Sequence, residues 1–394
     1  MTTGRAPEIA VGKRRALWPL YAAGFVTAFG AHSIAAGLGA YTREQHASLL
    51  TLGIVLAVYD GAEVVLKPVF GSLADRIGPR PVLLGGLLAF AAASAAFVVA
   101  GNPALVGLTR LGQGAAAAAF SPAAGALVAR LSPEKRQGRA FGGYGAWKGL
   151  GYTFGPVLGG VLITVGGFTA LFAVLAGLAV LAAIWAALAV PAVPPLPRGR
   201  RTVVDLVRRL GQGSFLRPTA TLAAATGALA VGVGFLPVTG AAAGLGPLAT
   251  GAAVSVLAVC SSLVQPWAGR ARDAGRLRDR PGMAIGLGAA AAGLTLAALL
   301  PGPGGVLGAA AVIGAGVGLA TPLGFAHLAA TTPPQRLGQT MGAAEVGREL
   351  GDAGAPLLVG AVAVAWSLDL GLIALAGLVA LAGAVIAGAR KPPS

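Results

Sequence analysis

The sequence predicts an all-α integral membrane protein with about twelve transmembrane helices in two pseudo-symmetric six-helix bundles. Three observations predict it: an apolar composition, apolar runs of regular length, and a repeat that relates the two halves. The 394 residues are 56% hydrophobic and 11% charged, whereas soluble domains carry about 25% charged residues. So few polar side chains cannot cover a water-exposed surface of this size, and we therefore expect lipid to surround the helices.

Apolar runs recur along the whole chain, and a helix needs about 20 such residues to cross the hydrocarbon core. Tight turns separate most of them, and one long connection rich in Pro and Arg divides the chain near its middle. The first run is too long for the apolar core of a signal peptide, so we expect an uncleaved span. The predicted spans are 16–40, 47–70, 80–100, 103–129, 138–165, 167–190, 215–239, 247–268, 282–301, 304–330, 338–365 and 367–389.

The basic residues are distributed unevenly about these spans. Four of the 29 Lys and Arg residues lie in the interior of spans, more than two residues from either end, and Arg43 lies in a loop after an odd-numbered span. The others lie at the termini or beside loops that follow even-numbered spans. This positive-inside pattern predicts that both termini and the central connection are cytoplasmic. It also accounts for the net charge of +16 without a nucleic-acid partner, and it predicts contact with anionic lipid.

The two halves of the chain repeat each other. Residues 131–160 and 331–360 align at an offset of 200, which places Lys148 over Arg348 and matches many Gly and Pro positions. An offset of 198 places Gly71 over Gly269 and Asp75 over Asp273. We therefore predict an N-terminal bundle at 1–190, a basic cytoplasmic linker at 191–217 and a C-terminal bundle at 218–394. Transporters are often built from such repeats, with a binding site between them.

The loop after the second span contains a motif, GSLADRIGPR at 71–80. Glycines there permit a tight turn and close backbone approach, and a carboxylate such as Asp75 is favourable at a helix N-terminus. The run resembles the loop signature of the major facilitator superfamily, with Pro79 where that family usually has a basic residue. The matching positions are Gly71, Leu73, Ala74, Asp75, Arg76, Gly78 and Arg80. The resemblance implies a twelve-helix secondary transporter that works by alternating access.

A glycine-rich motif, GYTFGPVLGG at 151–160, lies in the fifth span. It resembles the helix 5 motif of the antiporter branches of the superfamily, notably drug:proton antiporters. The alternative is tight helix packing, because small residues let helices approach closely in lipid. The matching positions are Gly151, Gly155, Pro156, Gly159 and Gly160. In the fourth span, Arg110 and Gly114 resemble a family element whose arginine is linked to proton transfer; a structural arginine that needs an anionic partner is the alternative.

Two spans carry clustered charges. Asp60, Glu63, Lys67 and Gly71 fall within about 60° on one helix face. A second set on the eleventh span covers about 100° and consists of Glu345, Arg348, Glu349 and Asp352. Since charge is costly against lipid, both faces should meet protein or water.

Two roles compete for these charges, and a static network that fixes helix packing is the third alternative. One role is a gate of interdomain ion pairs such as Lys67–Glu345 and Glu63–Arg348, together with Asp75 and Arg76. The other is proton or substrate handling by a carboxylate withdrawn from water. For this second role the candidates are Asp60, Glu63, Arg110, Lys148, Glu349 and Asp352.

Three further residues are intramembrane candidates. Lys148 in the fifth span is expected either at a helix seam with a carboxylate partner or at a cavity wall, where it would suit an anionic or zwitterionic substrate. His32 and His327 are expected to be hydrogen-bonded structural residues rather than proton relays.

Several classes of protein are excluded or disfavoured by residues that the sequence lacks. A single cysteine, Cys260, excludes an intramolecular disulfide, and three distant histidines do not make a metal site. No phosphate-binding loop of the ATPase type and no catalytic constellation occurs. We therefore expect no enzyme, metal or cofactor, but a monomer in a bacterial inner membrane that moves a small organic solute. Proton-coupled efflux of a drug-like compound is the leading hypothesis, and proton-coupled symport is the alternative.

Overall fold

A computed structural model describes residues 15–44, 49–100, 102–195, 212–300 and 302–388. Within these residues the secondary structure is helical, with no strand. The basic segment at 13–14 and the greater part of the predicted linker lie outside the described residues.

Twelve helices follow one another in the described residues, and they match the twelve predicted spans in order. The helix Gln137–Ala189 is broken at Gly166 and Gly167, so its arms 137–165 and 168–189 are treated as α5 and α6. Gly167 has φ 68°, a conformation that favours glycine. The other helices are α1 Leu17–Glu44, α2 Leu49–Ile77, α3 Pro79–Ala96, α4 Pro103–Leu131, α7 Gly213–Ala242, α8 Pro247–Asp273, α9 Asp279–Leu299, α10 Pro303–Thr331, α11 Leu337–Ala365 and α12 Leu368–Ala387.

Local sequence signals set several helix ends. Asn102 caps α4, because its side-chain oxygen accepts from the Leu105 N–H at 3.0 Å, and Pro103 occupies the first turn, where no N–H is needed. Ser367 caps α12 in the same way. Between α2 and α3 the chain turns at Gly78, whose φ of 98° excludes most other residues.

Eight segments among the described residues are long and apolar enough to cross a membrane. The helices α2 and α11, which carry the clustered charges, are not among these segments. Many large apolar side chains point outward, including Val165 and Leu188, each 83% exposed, and Val364, which is 91% exposed. An apolar exterior is what lipid requires, and the protein is therefore a multi-pass membrane protein.

The fold divides into two compact units. The first comprises the described residues among 1–134, 147–198 and 332–346, and the second those among 135–146, 199–331 and 347–394. The first unit thus includes the start of α11, and the second includes the start of α5. A cluster that contains Phe29, Phe97 and Phe172 forms a core in the first unit, and one that contains Leu257, Leu287 and Ile313 does so in the second. The division into bundles 1–190 and 218–394 with a linker at 191–217 stays a prediction.

Candidate functional site

The last turn of α2, rather than the loop predicted after the second span, caps the N-terminus of α11 in the first unit. Asp75 Oδ1 accepts from the Gly338 N–H at 2.8 Å, and Oδ2 accepts from the Gln339 N–H at 2.9 Å. The first N–H groups of a helix have no intrahelical partner and carry partial positive charge. Asp75 therefore satisfies two of these donors, on a helix that lies more than 260 residues away along the chain.

The same cap recurs in the second unit with the halves of the chain exchanged. Asp273, at the end of α8, accepts from the Gly138 N–H at 2.9 Å and from the Arg139 N–H at 2.8 Å. Both residues lie at the start of α5. The repeat offsets of 198 and 200 residues map the first cap onto the second, so both predicted repeats are seen as equivalent contacts.

Glycines at both caps allow the backbones to touch. A Cβ on Gly71 would lie 2.5 Å from the Gly338 carbonyl oxygen, and a Cβ on Gly138 would lie 2.5 Å from that of Gly269. Such distances are too short for carbon and oxygen, so any larger residue would push the two helices apart. The motif glycines are therefore needed for backbone approach as well as for turning.

Four charged residues form a buried network in the first unit, and we call them the quartet: Glu63, Lys67, Lys148 and Glu345. Lys67 Nζ lies 3.0 Å from Glu63 Oε2 and 3.9 Å from Glu345 Oε2. Lys148 Nζ lies 3.5 Å from the same Glu345 oxygen. Lys67 is 1% exposed and Glu345 is 3% exposed. Glu345 on α11 therefore bridges lysines on α2 and α5, and the charges of the quartet balance.

The contacts of the quartet agree with some of the ion pairs predicted from the sequence. The predicted contact between Lys67 and Glu345 is present, and Lys148 has the carboxylate partner that one of its two alternatives required. Glu63 lies against Lys67 on its own helix, and the predicted Glu63–Arg348 pair stays a prediction. The three roles predicted for these charges, a gate, a proton carrier and a static scaffold, stay predictions.

Three of the four equivalent positions in the second unit are uncharged, and the fourth, which corresponds to Lys148, is Arg348. The repeat offsets place Ser261 over Glu63, Gln265 over Lys67 and Gly145 over Glu345. Gln265 Nε2 donates to Ser261 Oγ at 3.4 Å, which reproduces the Lys67–Glu63 contact between neutral groups. A Cβ on Gly145 would collide with Gln265 Oε1. Of the two equivalent sites, only the one in the first unit carries charge at these three positions.

Arg110 on α4 lies in a polar pocket of the first unit. It is 2% exposed, and its Nη1 donates to Gln113 Oε1 at 3.2 Å. Its guanidinium stacks over the Tyr59 ring at 4.3 Å from the centroid, and Asp60 and Glu63 are close enough for Coulombic attraction. The arginine thus has the anionic neighbours on α2 that a buried cation needs.

The remaining predicted residues occupy different environments. Arg348 Nε donates to Thr226 Oγ1 at 3.1 Å in the second unit. Asp60, Arg76 and Asp352 are exposed, and Glu349 is half-buried. Arg80 donates to the Ala187 carbonyl oxygen near the end of α6 at 2.5 Å, so this motif residue ties α3 to α6. The structure leaves the roles of these residues open, and they stay predictions.

The glycine motif of α5 packs against α1 in the first unit. A Cβ on Gly151 would lie 2.5 Å from the Phe25 carbonyl oxygen, one on Gly155 would lie 3.0 Å from His32 Cβ, and one on Gly159 would lie 2.5 Å from Ser33 Cβ. A Cβ on Gly160 would meet nothing within 4 Å. The motif is therefore a packing seam along three of its glycines; the side chain of Pro156 lies outside what the structure describes. Its link to antiport remains a hypothesis.

The sequence reasoning missed one cluster, in the second unit. Asp279 at the start of α9 contacts both Arg272 and His327. His327 is thus ion-paired or hydrogen-bonded to a carboxylate 48 residues away, and no motif or spacing in the sequence indicates that pair. His32, in contrast, contacts the Ala28 carbonyl oxygen at 3.1 Å and the ring of Tyr152, as a structural histidine would.

Together these features define a polytopic helical membrane protein with a repeated cap motif and a buried charge network. The sequence model described as Major Facilitator Superfamily matches residues 20–270 and 220–394. The chain belongs to the major facilitator superfamily, and it is accordingly a transporter rather than an enzyme.

Two curated relatives illustrate the similarity. The chain is 32% identical over 168 residues to the inner membrane transport protein YajR of Escherichia coli K12. The aligned stretch covers 42% of this chain and 36% of that protein. It is 29% identical over 114 residues to the quinolone resistance protein NorA of Staphylococcus aureus, and this aligned stretch covers 29% of each chain. The matched stretches thus span about a third of the length of these relatives.

Solved structures share the fold over nearly the full length. The human organic anion transporter MFSD10 superposes with a TM-score of 0.76 at 17% identity, covering 95% of this chain and 99% of that one. The E. coli fucose:proton symporter FucP superposes with a TM-score of 0.78 at 14% identity, covering 94% and 97%. These likenesses establish the twelve-helix major facilitator fold that the sequence predicts.

Proposed function

We propose that this transporter exports a small organic compound in exchange for protons across a bacterial inner membrane. It acts as a monomer with both termini in the cytoplasm, and lipid surrounds its apolar exterior. The observation that carries the proton coupling in this proposal is the quartet, in which Glu345 of α11 contacts one lysine on α2 and another on α5. The name of the relative NorA, a quinolone resistance protein, supports a drug-like substrate.

The quartet links helices that come from different sequence halves. In alternating access, the contacts between the halves break at one end while they form at the other. When α11 separates from α2 and α5, Glu345 loses both lysines at once. A carboxylate that has lost its cations in a region of low polarity favours its protonated form. Proton binding and conformation are then coupled, because the proton is bound more tightly in one state than in the other.

The caps made by Asp75 and Asp273 are further candidates for contacts that break and form during the transport cycle. Each cap joins a helix of one sequence half to a helix of the other by two charge-assisted hydrogen bonds. The loops concerned are the basic ones, which the positive-inside pattern assigns to the cytoplasm. We infer that both caps lie on the cytoplasmic side, with Asp60, Glu349 and Asp352 as further candidates for proton or substrate handling.

A symporter that imports a small solute is the alternative. One of the structures with the same fold is a fucose:proton symporter, and its presence among the matches favours that direction. The charge network serves either direction equally, because coupling requires only that protonation and conformation depend on each other. A flux measurement decides between them.

The experiment uses the purified chain in liposomes with a trapped pH-sensitive dye. A quinolone, an organic anion and fucose are added in turn, and proton movement is recorded for the wild type and for Asp60→Asn, Glu345→Gln and Glu349→Gln. Asp369→Asn, an exposed carboxylate at the start of α12, is the matched control. We expect protons to move in the direction opposite to the substrate. This movement should be abolished in at least one of the variants Asp60→Asn, Glu345→Gln and Glu349→Gln, and it should be unchanged in the control.

Other outcomes contradict parts of this proposal. Protons that move in the same direction as the substrate would establish symport and overturn export. Substrate movement without any proton flux would make the quartet a gate or a scaffold. An equal loss of proton movement in Asp369→Asn and in the other three variants would show that removal of any carboxylate disturbs the protein.

A further inference from the structure

A cluster of four charged or titratable side chains lies at the start of α9 in the second unit, and we call it the His327 cluster. Arg272 Nε donates to Asp279 Oδ1 at 2.6 Å, and its Nη2 donates to Oδ2 at 3.2 Å. His327 Nδ1 lies 3.1 Å from the same Oδ2. On the other side, Arg272 Nη1 lies 3.7 Å from Asp273 Oδ1. The order of contacts is therefore Asp273, Arg272, Asp279, His327.

One end of this cluster is the cap of α5. Asp273 is the residue that accepts from the N–H groups of Gly138 and Arg139. The N-terminus of a helix carries about half a positive charge, so the strength of the cap depends on the net charge that faces it. The cluster thus connects the protonation of His327 to the contact between α8 and α5.

The other cap lacks such a device. At the repeat offsets of 198 and 200 residues, the positions of Arg272, Asp279 and His327 are taken by Ala74, Pro81 and Leu127. None of these three residues can titrate. The protein therefore has two equivalent caps, of which only the one made by Asp273 includes a histidine in its cluster.

Histidine is the side chain that changes charge between about pH 5 and 8. The charged groups on the helices around His327 are as follows. His327 is the one titratable residue of α10, which packs against α7, α8 and α9. The charged residues of those three helices are Arg217, Arg270, Arg272, Asp273, Asp279 and Arg280. Helices α5 and α11 also contact α10, through Phe141 and Arg348 against Phe325, and their charged residues in the second unit are Arg139, Arg348, Glu349 and Asp352. Asp279 is the group in direct contact with the imidazole, and on α5 Arg139 acts electrostatically on Asp273.

We propose that His327 is a regulatory proton-binding site that weakens the cap of α5 when it is protonated. With neutral His327, the cluster carries one net negative charge, because two carboxylates face one guanidinium; this charge attracts the N-terminus of α5. With His327 protonated, the net charge is zero. The imidazolium also competes with Arg272 for the Asp279 carboxylate. Arg272 can then leave its bidentate contact with Asp279 and move toward Asp273. Both effects weaken the hydrogen bonds from Gly138 and Arg139 to Asp273, and acidification therefore favours opening of this cap.

This inference rests on the proposed alternating access, in which the caps open and close, but its test needs no substrate. Hydrogen–deuterium exchange of the full-length protein in nanodiscs reports on the capped amides in peptides that begin before Gln137 and before Leu337. The amides of Leu105 and Leu370, held by the Asn102 and Ser367 caps, are the internal control, and the amides of Gly338 and Gln339 are followed as well. Rates at pH 5.5 and 7.5 are divided by the intrinsic rates, and wild type, His327→Gln and His327→Lys are compared.

In the wild type we expect acidification to increase exchange at 138–139 about two- to fivefold relative to the control amides of Leu105 and Leu370, the range that a charge near a helix terminus produces. His327→Gln should remain at the slow rate and His327→Lys at the fast rate, both independent of pH. The inference is overturned if the wild-type ratio does not change with pH, or if the two variants shift it in the same direction. Failure of alternating access looks different: exchange at 138–139 would then still follow the charge at His327, while exchange at 338–339 would stay unchanged in every variant.

Discussion

Lys67 shows how one buried charge depends on its neighbours. It is 1% exposed and lies between two carboxylates, Glu63 at 3.0 Å and Glu345 at 3.9 Å. The desolvation of such a cation is offset only while both anions remain in place, and removal of one member leaves an uncompensated charge. The quartet is therefore sensitive to single substitutions and tolerant of balanced ones.

We expect Lys67→Met to destabilise the fold by about 3–5 kcal/mol, because Glu63 and Glu345 lose the buried cation that lies between them. The double variant Lys67→Met with Glu63→Gln should recover much of this loss, since Glu345 and Lys148 still balance each other. Thermal unfolding of the purified protein in detergent measures both. A double variant that is less stable than the single one would show that the charges of the pair are not what matters.

At the scale of elements, the α1–α5 seam shows why a glycine motif can be read in two ways. Gly151, Gly155 and Gly159 face α1, whereas a Cβ on Gly160 would meet no atom within 4 Å. Close helix approach is a sufficient physical reason for the first three. Packing by itself thus accounts for most of the motif, and an additional role in antiport has to be shown by flux.

Gly151→Ala and Gly160→Ala form a matched pair on one helix. The first places a Cβ 2.5 Å from the Phe25 carbonyl oxygen, and such overpacking costs typically about 1–3 kcal/mol. The second adds a methyl group in open space and should leave stability unchanged or slightly raised, because alanine loses less backbone entropy in a helix. Thermal unfolding distinguishes them; equal stabilities would mean that α1 moves aside freely.

The caps are a second case at this scale. Asp75→Asn should raise amide exchange at Gly338 and Gln339 roughly tenfold or more, because a hydrogen bond to a charged group contributes about 1.5–3 kcal/mol. Asp273→Asn should do the same at Gly138 and Arg139. Exchange measured by mass spectrometry tests each cap separately, and Asp369→Asn is again the control because it caps neither helix.

For the whole molecule, the question is whether the two caps report on one conformational equilibrium. Alternating access predicts that they open together, so Asp75→Asn should also raise exchange at 138–139, and Asp273→Asn at 338–339. Such mutual effects are the signature of coupling between sites, and they are reciprocal in free energy. If each variant changes only its own cap, the caps are local contacts, and the rocking of one half against the other has to be abandoned.

The sequence by itself determined the class of fold and the position of nearly every helix. Apolar runs of about 20 residues are a local property that lipid imposes, which is why the twelve predicted spans match α1 to α12. The repeat offsets likewise predicted the equivalence of Asp75 and Asp273. The loop motif identified the family, and the family model matches most of the chain.

Only the tertiary structure decided which side chains meet. Glu345 lies 197 residues from Lys148, and His327 lies 48 residues from Asp279; neither distance leaves a pattern in the sequence. The period of a helix assigns a residue to a face, but the partner of that face depends on how helices from distant parts of the chain pack. The charges of α2 were therefore visible from the sequence, whereas the bridging position of Glu345 and the cluster at His327 were not.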